Sequence, residues 1–149
     1  MTIARDIMSK KVISIEPTVS ATEVAKLMDR NNVSCVVLTK DEKPYGIITE
    51  RDLLSKITAQ NKKSSDLTAK DIMSSPITLV SSYAPVDEVA QKMIANKIRR
   101  VVVSDGEQPT GIITVTDFVK HLNSILGNSE NYKKDIYNNL FEEYDHWNY

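Results

Sequence analysis

Few residues in this chain carry reactive chemistry. There is one cysteine, so no internal disulfide can form, and the two histidines, His121 and His146, are too far apart to suggest a metal-ligand pattern. Four glycines in 149 residues leave no glycine-rich loop of the kind that cradles phosphate. No apolar run reaches the length needed to cross a bilayer, and no apolar stretch follows the amino terminus as in a signal peptide. Neither sign of charge dominates: 19 basic and 20 acidic side chains give a net charge of −1, without a basic block or face for nucleic acid. No nucleophile–base pair is visible, and Cys35 reads as a small buried side chain. Catalysis, metal binding, DNA binding and a membrane span are therefore not expected. With 41% apolar residues the chain can still bury a core, and the composition predicts a soluble, cytoplasmic protein.

What the chain does contain is a repeat. Shifted by 65 residues, 6–54 aligns with 71–119 without a gap, and 18 of 49 positions are identical. Asp6-Ile7-Met8-Ser9 returns as Asp71-Ile72-Met73-Ser74, and Gly46-Ile47-Ile48-Thr49 returns as Gly111-Ile112-Ile113-Thr114. Each copy begins with a short helical turn, Ala4 to Ser9 or Ala69 to Ser74. A strand follows, Val12 to Ile15 or Ile77 to Val80. Apolar residues at helical spacing then predict helices over Ala21 to Asn31 and Val86 to Asn96. Strands Ser34 to Thr39 and Arg99 to Ser104 lead through polar turns into a third strand, and a second helix closes each copy. The order is β-α-β-β-α, an α/β (α+β) class of fold, with residues 1–60 and 61–126 as the two repeats.

Residues 127–149 belong to neither copy. Six of the nine aromatic residues fall within the last 18 positions, among Glu and Asp side chains. Ile136, Leu140, Tyr144 and Trp147 follow helical spacing, which predicts an acidic C-terminal helix whose aromatic face meets a partner or a second copy.

The corner between the third strand and the second helix holds the most chemistry. A glycine permits close backbone approach, two isoleucines suit a strand, and Thr49 or Thr114 can cap the helix that follows. Asp52 or Asp117 comes three residues later. Free N–H groups, a hydroxyl and a carboxylate thus meet in one place, the parts of a nucleotide site. The same spacing is also a helix-capping box, and Thr68-Ala69-Lys70-Asp71 has it with no strand before it.

Two copies of Asp-Ile-Met-Ser and of Gly-Ile-Ile-Thr-x-x-Asp in a β-α-β-β-α repeat resemble a tandem pair of CBS domains, named after cystathionine β-synthase, over roughly residues 4–126. The resemblance implies two units packed sheet to sheet about a pseudo-twofold axis. It also implies clefts for an adenosine-containing regulatory ligand, no prosthetic group, and dimerisation. Asp117 and Asp52 match the family aspartate that holds ribose hydroxyls, and Thr114 and Thr49 match the residue beside phosphate or ribose. Arg51, Arg99 and Arg100 match positions that can neutralise phosphate. The second copy has Thr116 in place of Arg51, and the first has Ser34 and Cys35 in place of the two arginines, so the two sites are not equivalent. Apolar strand residues Ile13, Ile15, Thr78, Val80, Val36 and Val101 are candidates for the adenine surface or for plain core.

The resemblance thus implies an energy-sensing regulatory protein that binds AMP, ADP or ATP and signals to an effector protein supplied in trans. The alternatives are an S-adenosylmethionine sensor and a dimerisation or interaction module that binds no ligand.

Overall fold

Each repeat builds its own three-stranded sheet, but the short segments that close the two sheets are exchanged. The computed structural model describes residues 1–126 together with Lys134 and Asn138. The expected C-terminal helix over 127–149 lies outside these residues.

The elements are α1 (Ala4–Ile7), β1 (Ser14–Ile15), α2 (Ala21–Asn31), β2 (Cys35–Lys40), β3 (Lys43–Thr49) and α3 (Glu50–Lys56). They are followed by α4 (Ala69–Ile72), β4 (Leu79–Val80), α5 (Val86–Asn96), β5 (Arg100–Ser104), β6 (Pro109–Thr114), α6 (Val115–Lys120) and α7 (Leu122–Leu126). The architecture is mixed α+β, with sheet orders β1-β2-β3 and β4-β5-β6. β1 and β4 shrink to two residues because each pairs in parallel with its neighbour over two positions only, Ser14–Val37 and Ile15–Leu38 in one sheet, Leu79–Val102 and Val80–Val103 in the other. Between the repeats the polar linker forms two 3-10 turns, Thr58–Gln60 and Ser64–Asp66.

α2 and α5 run over the expected residues. The Ser20 hydroxyl accepts the amide of Glu23 and starts α2. Both helices end on a left-handed residue, Asn32 and Lys97, each at φ 51°. The β2–β3 hairpin turns through Asp41 and Glu42, at φ 52° and 67°, as a tight hairpin between right-twisted strands requires.

The chain forms two compact units. Among the described residues up to 126, unit 1 gathers Met1–Lys11, Thr78–Asp105 and 110–126; unit 2 gathers Val12–Ile77 and Gly106–Pro109. Unit 1 therefore contains the first repeat's opening segment, and unit 2 contains the second's. In unit 1, Ser9 pairs with Ile112, and the amides of Ala4 and Arg5 donate to the carbonyls of Ala84 and Ser82 at 2.8 and 2.9 Å. In unit 2, Ser74 and Ile47 exchange backbone hydrogen bonds at 2.8 and 3.1 Å.

Each unit has its own core. In unit 1, Ile7, Val89, Met93, Val103, Ile113 and Phe118 are buried together. In unit 2, Val24, Val36, Leu38, Ile48 and Ile72 do the same. Burying a side chain of this size contributes about 1.5–3 kcal/mol, so Ile7 and Ile72 tie the exchanged helical turns firmly to the sheets they close.

Candidate functional site

Thr49 ends β3 and Thr114 ends β6, and each caps the helix that follows. In unit 1 the carboxylate of Asp117 folds back on the cap. Its Oδ2 accepts from the Thr114 amide at 2.8 Å and from the Thr114 hydroxyl at 3.2 Å. In unit 2 the Oδ2 of Asp52 accepts from the Thr49 amide at 2.9 Å and the Thr49 hydroxyl at 3.3 Å. The capping reading of these residues is therefore realised in both units, and it uses one carboxylate oxygen in each.

The second oxygen distinguishes the units. Oδ1 of Asp52 accepts from the Ser74 hydroxyl at 2.9 Å and forms an ion pair with Lys56 Nζ at 2.9 Å. Lys56 also donates to the carbonyls of Ile72 and Met73, both at 3.0 Å. Among the described residues, no hydrogen bond reaches Oδ1 of Asp117, although this side chain is 9% exposed. The residue at the position of Lys56 is His121, whose Nδ1 lies 2.9 Å from the backbone carbonyl of Asp117 and not at its carboxylate. The residue at the position of Ser74 is Ser9, which is exposed.

The expected neighbours are placed as follows. The amide of Val115, first in α6, donates to the carbonyl of Arg99 at 3.1 Å, so Arg99 and Arg100, at the start of the central strand β5, stand beside the end of β6 at Thr114. Thr78 lies just before β4, half-buried, and its carbonyl accepts from the Val102 amide at 3.1 Å. Val80 and Val101 are buried in the core of unit 1, as Ile15 and Val36 are in that of unit 2. Ile13 is half-buried and Arg51 exposed. Structure thus brings Asp117, Thr114, Arg99, Arg100 and Thr78 into unit 1, and Asp52, Thr49, Arg51 and Ile13 into unit 2. Sequence reasoning passed over Lys56 and the partnership of Ser74 with Asp52. The pairing of Asp52 with Lys56 one helical turn later was the available signal for the first.

Among the described residues no group of three or more His, Cys, Asp or Glu side chains could hold a metal, and no helix is long and apolar enough to cross a membrane.

Such duplicated strand-to-helix corners, closed by exchanged segments, make a tandem pair of like modules. The chain belongs to the CBS domain family, which it matches twice, over residues 4–59 and 69–124. It is 35% identical over 117 residues to an uncharacterized protein of Methanopyrus kandleri; the match covers 77% of this chain and 60% of that protein, so the chain spans less than two thirds of this relative's length. Among solved structures it is similar to a hexameric CBS-CP12 protein from bloom-forming cyanobacteria, with 26% identity, a TM-score of 0.78, and coverage of 91% of this chain and 79% of that one. It is also similar to a CBS domain pair solved in complex with 5′-methylthioadenosine and S-adenosyl-L-methionine, with 33% identity, a TM-score of 0.72, and coverage of 83% and 97%. A CBS pair is a regulatory module.

Proposed function

We propose that the chain is a sensor that binds an adenosine-containing ligand at the corner of unit 1 and signals to a partner protein. The observation that carries this reading is the Asp117 carboxylate. One oxygen is fixed by Thr114, so the group is held in place, and the other takes no hydrogen bond among the described residues. A ribose diol supplies the donors such an oxygen lacks, and a charged acceptor strengthens those bonds. Unsatisfied acceptors at buried positions are uncommon in folded proteins, and a ligand removes the deficit.

An adenine nucleotide, AMP, ADP or ATP, is the favoured ligand, because Arg99 and Arg100 stand at the start of β5, beside the end of β6 at Thr114, and guanidinium groups suit phosphate. S-adenosylmethionine or 5′-methylthioadenosine is the second reading, favoured by the solved CBS pair that holds both. The ribose is common to all of them. Calorimetry with AMP, ATP, S-adenosylmethionine and 5′-methylthioadenosine separates the two readings. Saturable binding that Asp117→Asn abolishes supports the sensor. Binding that is lost in an Arg99→Ala, Arg100→Ala double variant for AMP but kept for 5′-methylthioadenosine identifies the phosphate contact. Absence of heat with all four ligands favours an interaction module.

Binding can signal only if the ligand prefers one of two conformations. Self-association as a homodimer fits the exposed apolar side chains Leu54 (52%) and Val119 (46%), which occupy equivalent positions in the two repeats.

A further inference from the structure

The two corners differ in what holds the second carboxylate oxygen. In unit 2 the ammonium of Lys56 has four acceptors: Asp52 Oδ1 at 2.9 Å, the carbonyls of Ile72 and Met73 at 3.0 Å, and the Ser74 hydroxyl at 3.3 Å. Two of these, the carbonyls at the end of α4, are among those that a helix end leaves without an internal partner, and a lysine is a suitable donor to them. Ser74 Oγ completes the set by donating to the same carboxylate oxygen at 2.9 Å. Every lone-pair direction of Asp52 that a sugar hydroxyl could use is thereby engaged by the protein itself.

We infer that Lys56 is a built-in occupant of the unit 2 corner, so that the chain takes one adenosine ligand, at Asp117, and none at Asp52. The inference rests on the proposed reading of the Asp117 corner. To bind at Asp52, a ribose diol must displace a charge-assisted bond from an ammonium that would also lose the geometry holding its two carbonyls. In unit 1, among the described residues, no ammonium holds the second carboxylate oxygen of Asp117, and position 121 carries an imidazole within 2.9 Å of a backbone carbonyl. Lysine and histidine at matching positions of the repeat thus decide which corner is open.

The test is the stoichiometry and affinity of AMP and 5′-methylthioadenosine binding to the full chain, measured by calorimetry for the natural protein, Asp117→Asn, Lys56→Met and His121→Lys. One site per chain is expected, lost in Asp117→Asn. Lys56→Met is expected to raise the stoichiometry to two. His121→Lys places an ammonium within reach of Asp117 and is expected to weaken the natural site at least tenfold while leaving the far-ultraviolet circular dichroism unchanged. Two sites in the natural protein, or one site that survives Asp117→Asn, overturns this assignment and leaves adenosine binding standing. Undiminished affinity in folded His121→Lys overturns it as well, whether or not Lys56→Met folds. Absence of binding by the natural protein overturns the underlying reading of the Asp117 corner and the inference with it.

Discussion

The sulfur of Met73 fills the space that a β-carbon on Gly46 would need: a Cβ built there lies 2.6 Å from Met73 Sδ. The relationship recurs one repeat on, where a Cβ on Gly111 would collide with Met8 Sδ and lie 2.8 Å from its Cγ. In each case a methionine from one repeat's opening segment sits on the glycine of the other repeat's third strand. The glycines are required here for close approach and not for a left-handed conformation, which neither adopts.

Gly46→Ala and Gly111→Ala should each destabilise the fold by about 1–3 kcal/mol, the usual cost of overpacking a filled core. Urea denaturation measures the loss. The cost of Gly46→Ala should shrink when Met73→Ala is added, since the collision is then removed. Additive costs would show that the contact is not the cause.

Loss of the Lys56 ammonium should weaken the protein, because the buried Asp52 carboxylate would lose its ion-pair partner. Breaking a fully buried ion pair costs about 3–5 kcal/mol, and the Lys56 side chain is 35% exposed, so the expected cost of Lys56→Met is about 1–3 kcal/mol. The double variant Asp52→Asn, Lys56→Met should recover part of it, read as a shift in the denaturation midpoint. A double variant no more stable than Lys56→Met would place the cost elsewhere.

Asp105 should make stability depend on acid. Its Oδ1 accepts from the Ser82 amide at 2.8 Å and the Ser81 hydroxyl at 3.1 Å. Hydrogen bonds from the Ser82 hydroxyl and amide, in that order, hold the carboxyl below its ordinary value of 3.8, and the Ser81 hydroxyl and the charge of Arg5 add to the effect. A folded-state value below the unfolded one means that the stabilisation is complete above 3.8 and disappears as pH falls through the lower, folded value. Asp105→Asn should therefore unfold earlier than the natural protein near neutral pH, and the two curves should converge in strong acid. A difference that persists unchanged into strong acid would rule out the carboxylate as its source.

Replacing Leu54 and Val119 by lysine should leave the monomer folded, since both are exposed, and should reduce self-association seen by analytical ultracentrifugation. An unchanged sedimentation profile would remove these two side chains from any interface.

Much of this was readable from the residues alone, and the reasons for the rest are physical. The ungapped repeat and the helical spacing of Val24, Met28, Val89 and Met93 placed α2 and α5 at their observed bounds. β1 and β4 came out shorter than Val12 to Ile15 and Ile77 to Val80, because strand length depends on the partner, and each pairs at only two positions. β3 and β6 end in the same four residues, Gly-Ile-Ile-Thr, so no local feature there tells an opening segment which of them to join. Their exchange was therefore invisible. The paired carboxylates Asp52 and Asp117 and the unequal residues around them were found as chemistry, but the different bonding of their second oxygens depends on Ser74 and on Lys56, which lies beyond the aligned stretch 6–54.

The exchange of opening segments also sets an order of events as the chain is made. Ile47 meets Ser74 after only 27 residues, and unit 2 is nearly continuous from Val12 to Ile77. Ser9 must wait 103 residues for Ile112. Closing the longer loop costs about 1 kcal/mol more in chain entropy if nothing within it has folded. On a ribosome, unit 2 is available first, and its folding draws Lys11 and Thr78 out of the long loop as fixed ends. Residues 1–11, made before unit 2, are then among the last to find their place.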